Sequence, residues 1–105
     1  LRDQLAGHEM LQNAWMKAQG LIEERGVGAA SRANPALALG PKLHKEVTRQ
    51  QAALGLLKPE NLARMSATEN IRLNELAMRK AGVPEHAIQV MKTEVLKHVA
   101  TLTRP

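Results

Sequence analysis

The sequence predicts an all-α domain, a small bundle of about four to five helices, and three observations predict it. Apolar residues make up 44% of the 105 residues, chiefly Ala and Leu, with only six Val and three Ile. Strand-favouring side chains are therefore scarce while good helix formers abound. A single Trp supplies all the aromatic content, and apolar positions recur at three and four residues along most of the chain. The length suits one domain over 1–105, because two separate cores would each approach the size at which burial alone fails to hold a fold.

The N-terminal helix is expected over about 3–25, on Leu11, Trp15, Ala18 and Ile22 with Ala14 and Leu21 beside them. Leu11, Trp15 and Ile22 are assigned to packing. Gly26 stops that helix, and small aperiodic residues make 26–34 a flexible loop, with Arg32 free to reach an anion or simply to connect. Asn34-Pro35 reads as a helix start leading into one short turn at Ala36–Leu39, which Gly40-Pro41 interrupts. A basic central helix follows over about 41–54, with Leu43, Val47, Gln50 or Gln51, and Leu54 on one stripe, and Gly55 closes it.

Pro59 to Met65 is a further short helix that buries Leu62 and Met65. Ser66-Ala67-Thr68-Glu69 has the form of a capping box, in which hydroxyl and carboxylate each satisfy an unpaired amide at a helix start. A helical hairpin over about 67–102 follows, broken at Gly82 and restarted at Pro84, its second arm carrying Ile88, Met91, Val95, Val99 and Leu102. With one aromatic among so many helices the core is thin, so completion by homo-oligomerisation is expected.

Composition also excludes chemistry. Without cysteine there is no disulfide, thiolate metal site or thiol nucleophile. No apolar run approaches a membrane span or a signal peptide, so no membrane partner and a cytoplasmic location are expected. The chain opens at Leu1 rather than a methionine, and further residues upstream are expected. Ser31 has no evident histidine and acid partner, and Ser66 is accounted for as a cap. Asp3 is the sole aspartate, and His8, His44, His86 and His98 lie far apart with no metal-ligand spacing. No phosphate-binding Gly-x-x-x-x-Gly-Lys motif occurs. The expectation is a protein that is not an enzyme, with no metal and no cofactor.

Charge points to nucleic acid. The net charge is +5, carried by 15 Lys and Arg against 10 Asp and Glu, and the excess falls after residue 33. Lys42, Lys45 and Arg49 recur at three and four on the central helix, a stripe that either follows a phosphate backbone or is its solvated face. Asn74 to Thr93 resembles a helix-turn-helix, with Ala77, Ala81, Gly82, Val83, Ile88 and Met91 in the packing roles. In that reading Glu85, His86, Gln89, Lys92 and Thr93 face a groove; otherwise the segment is a plain helical hairpin.

Ala14-Trp15 with Leu21 and Glu24, the loop at Gly26, Asn34-Pro35-Ala36-Leu37, and Ala53-Leu54-Gly55-Leu56 followed by Pro59 together resemble the small subunits of phage terminases. The resemblance spans about Leu11 to Met65. It implies a non-catalytic subunit, in the host cytoplasm, that assembles as a ring, binds viral double-stranded DNA and recruits or regulates the large ATPase and nuclease subunit during genome packaging. Arg32, Lys42, Lys45 and Arg49 would then meet DNA, with Arg79, Lys80 and Lys92 as a second set. A helical protein-binding adaptor and a helix-turn-helix transcription regulator are the alternatives.

Overall fold

The structure, a computed structural model, describes residues 6–22 and 33–102. Its elements run β1 (Ala6–Glu9), α1 (Asn13–Ala18), β2 (Ala36–Leu39), α2 (Pro41–Ala53), α3 (Pro59–Ala63), α4 (Ala67–Ala81) and α5 (Glu85–Leu102). Helix dominates as expected, but β1 and β2 form a small antiparallel sheet with Ala6 opposite Leu39, His8 opposite Leu37 and Glu9 opposite Ala36.

This sheet replaces helix at two places. Ala36–Leu39, expected as a helical turn, is β2, because Ala-Leu-Ala-Leu alternates with period two. Leu37 and Leu39 turn inward while both alanines stay exposed. Four residues between Pro35 and Gly40-Pro41 are also too few to nucleate a helix. Asn34 is accordingly no helix cap. It is buried, and its Nδ2 donates to the Leu11 carbonyl at 2.6 Å and to Asn13 Oδ1 at 2.9 Å.

Within the described part of the helix expected over 3–25 there is a strand at Ala6–Glu9 and a helix at Asn13–Ala18; the rest of that span lies outside the described residues. Gly20 ends the helix, adopting φ +77° while the Leu21 amide donates back to the Met16 carbonyl at 2.8 Å. Most of the loop expected over 26–34, Arg32 included, lies outside the described residues.

The remaining helices follow their predicted signals. Pro41 opens α2 as its first residue. Ser66 Oγ accepts from the Glu69 amide at 3.1 Å to cap α4. Gly82 in the left-handed region closes α4 before α5 begins. Met10, Leu11, Trp15 and Met16 pack with Val47, Leu56, Leu62, Ile71, Met78, Ile88 and Val95 in one continuous core, and Ile22 lies against it. No helix among the described residues is long and apolar enough to cross a membrane.

Candidate metal-binding cleft and cationic surface

The basic residues fall into two groups. Lys42, Lys45 and Lys80 are exposed and make no ion pair among the described residues. Arg49 lies on the stripe with Lys42 and Lys45, but its Nη2 donates to both carboxylate oxygens of Glu46 at 2.9 Å. Arg79 bonds Glu75 at 2.9 Å and Glu85 at 2.8 Å, and Lys92 reaches Glu75 at 3.2 Å. The second set of cations is thus largely matched by carboxylates. Glu85 and Gln89 are also joined at 2.7 Å on the expected groove-facing side of the hairpin, which offers a phosphate backbone a negative charge.

The histidines behave differently from their sequence spacing. The β1–β2 register sets His8 opposite Leu37, on the face that turns inward, and α2 starts just after β2 with His44 on its early turns. The two imidazoles meet edge to face with centroids 5.1 Å apart and planes at 74°. His8 is only 7% exposed, and its Nε2 is buried without a hydrogen-bond partner. Burial foremost, then the neighbouring His44, pushes its pKa down to about 4 against an opposing hydrogen bond with Gln51. The ring is therefore neutral at physiological pH, the form that ligates metals.

Both histidines line a cleft of about 680 Å³, together with Glu9, Lys17, Thr48 and Gln51. A carboxylate, an ammonium group and a hydroxyl thus share one opening with two imidazoles. Beneath it lies a buried amide cluster. Gln12 Nε2 donates to the Leu56 carbonyl at 3.0 Å, Asn70 Nδ2 donates to Gln12 Oε1 at 2.9 Å, and Gln51 Nε2 donates to Asn74 Oδ1 at 2.6 Å. Such satisfied networks hold side chains in one geometry.

No family model, curated protein or solved structure matches the chain.

The cleft therefore has to be read from its own chemistry. Among the described residues no group of three or more His, Asp or Glu side chains is placed to hold a metal ion, so any ion here rests on two imidazoles. Two nitrogens at 2.0–2.1 Å from one ion at the tetrahedral angle would set ring centroids about 5 Å apart, close to the observed spacing. An edge-to-face ring pair has a similar spacing without any ion. The uncapped start of α2, whose Gly40 offers no side chain to its amides, opens the same helix that carries Lys42, His44 and Lys45.

Sequence reasoning set His8 and His44 aside because they are remote in the chain. The available signal was the period-two alternation in Ala36–Leu39, which makes a strand and so brings β1 against the start of α2.

Proposed function

We propose that the protein binds a divalent transition-metal ion between His8 and His44 and uses it to hydrolyse phosphodiester bonds in nucleic acid. The approach of these two imidazoles, one of them buried and neutral with an unpartnered nitrogen, carries the reading. A bound ion would polarise a phosphoryl oxygen and lower the pKa of a coordinated water. With only two protein ligands, its other positions remain for water and for the phosphate. The Glu9 carboxylate lines the same cleft and would accept the proton of the attacking water. Lys42 and Lys45 supply the sequence-independent attraction to the backbone.

The deciding experiment is calorimetric titration of the chelator-treated protein with Zn²⁺, Ni²⁺ and Co²⁺, followed by plasmid and single-strand cleavage assays. Stoichiometric binding lost in both His8→Ala and His44→Ala, with metal-dependent cleavage lost alongside, supports the proposal. Absence of binding would show the imidazoles to be a packing pair.

A second reading is the small terminase subunit, a homo-oligomeric ring that binds viral DNA and recruits the large subunit. The exposed Lys42 and Lys45 favour it, as do Leu57, Val90 and Leu96, which are 49%, 51% and 52% exposed and could be covered between subunits. The strand at Ala36–Leu39 counts against it, since the likeness makes that motif a helix start. Native mass distinguishes the two, because only the terminase reading requires a closed assembly of many subunits.

A further inference from the structure

A second concavity, of about 480 Å³, lies between β2 and α5. Pro35 and Leu37 line it from the strand side, and Ala87, Val90 and Met91 from the helix side. The core side of α5 is set by Ile88, Met91 and Val95, all buried. Ala87 is half-buried beside that stripe, whereas Val90 lies outside it and is 51% exposed. The groove is therefore apolar within and keeps an exposed apolar rim, a combination that marks contact surfaces.

Its two ends differ in chemistry. His86 and Glu94 both line the groove, four residues before and four after Val90, so the three share one face of α5. Both end residues are exposed. His86 makes no ion pair or hydrogen bond among the described residues. Glu94 meets Lys97 at 3.3 Å, a pair open to solvent on both sides and so of little worth. A face that runs imidazole, valine, carboxylate is complementary to itself when one copy is turned end for end about Val90. Glu94 of each copy then meets His86 of the other, and valine meets valine, whereas a parallel arrangement sets carboxylate on carboxylate. Self-complementarity on reversal is the requirement of a twofold contact between identical chains.

We infer that a second copy of this chain covers the groove, with the two α5 helices antiparallel and a twofold axis passing at Val90. Each Val90 then enters the groove of the other copy, and each His86 imidazole donates to the other copy's Glu94 carboxylate. One small groove per copy gives a modest contact, with an expected dissociation constant of about 10–100 μM. The inference is independent of any metal in the His8 and His44 cleft, and it requires two copies where a terminase ring requires many.

The test is sedimentation velocity of the wild-type protein from about 5 μM to 1 mM, a range that brackets the expected constant. The expected result is a shift from monomer to dimer as concentration rises. A monomer at the highest concentration leaves the groove to some other occupant and overturns the inference, as does a closed assembly of more than two copies. Glu94→Lys removes both imidazole–carboxylate contacts, and His86→Glu sets carboxylate against carboxylate at both. Each should weaken the dimer about 10-fold or more, with circular dichroism checking that these exposed helix positions leave the fold intact. Mixed in equal amounts, the two variants match again: the remaining His86 meets the remaining Glu94, and the introduced lysine meets the introduced glutamate. A heterodimer of near wild-type affinity should form. A dimer indifferent to both substitutions, or a mixture that stays as weak as its components, places the contact elsewhere and overturns the inference.

Discussion

The indole N–H of Trp15 donates to the Met65 carbonyl at 2.7 Å, joining α1 to the chain two residues past the end of α3. Gln19 Nε2 reaches the same region, donating to the carbonyls of Leu62 at 2.9 Å and Ala63 at 3.0 Å. A five-residue helix such as α3 leaves most of its carbonyls without intrahelical partners, and Gln19, at the end of α1, satisfies those of Leu62 and Ala63. Trp15 and Gln19 thereby hold one wall of the cleft in place.

Trp15→Phe keeps much of the ring but removes the donor. The stability loss expected is about 1–2 kcal/mol, toward the lower end because Gln19 also approaches the Met65 carbonyl, at 3.3 Å. Urea denaturation followed by circular dichroism measures it, since the substitution removes the protein's sole Trp fluorophore. A midpoint equal to wild type would mean that the bond contributes nothing net.

Acid should weaken the fold through His8. Its folded pKa of about 4 lies below its ordinary value of 6.5, so between these pH values the unfolded chain holds the extra proton. Stability from keeping the ring neutral is thus complete above about pH 6.5 and is lost as pH falls toward 4, by about 3 kcal/mol. The groups facing the ring are His44 and Gln51. Glu85 titrates lower, its pKa drawn down to about 2 by hydrogen bonding foremost from Arg79, so its contribution changes in a separate window. Denaturation midpoints from pH 4 to 7, with chelator, should slope for the wild type and flatten for His8→Asn. Equal slopes would assign the acid sensitivity elsewhere.

The helical part of this architecture was legible because its signals are local. Pro41 at a helix start, the Ser66 hydroxyl three residues before Glu69, and Gly82 before a new helix each act within one turn. The stripe expected to hold Gln50 or Gln51 is also buried at Gln51. The sheet was not legible, because β1 is a four-residue Ala-Gly-His-Glu with little strand propensity, and pairing with a remote segment decides its form. The cleft depends on that pairing, so His8 and His44 stayed separate histidines in the sequence. The amides of Gln12, Asn70 and Asn74 give no signal in the sequence, and only packing reveals that they satisfy one another.

Ion pairing should divide the cations by their effect on nucleic-acid binding. Lys42 and Lys45 make no ion pair among the described residues, whereas Arg79 is held by two carboxylates. Each phosphate neutralised contributes about −0.9 to the slope of log affinity against log salt on duplex DNA. Lys42→Ala with Lys45→Ala should therefore flatten that slope by about 2 while lowering affinity. Arg79→Ala should change it little, because a guanidinium already bonded to Glu75 and Glu85 must surrender those bonds to reach phosphate, and its removal leaves two carboxylates to repel the backbone. That repulsion would lower affinity without removing a counterion-releasing contact, so affinity and slope must be measured together. Fluorescence anisotropy over a salt series, using a labelled duplex and a cleavage-inactive His44→Ala background, supplies both. An unchanged slope in the double lysine variant would move the nucleic-acid surface away from the start of α2, and with it the substrate path to the His8 and His44 cleft.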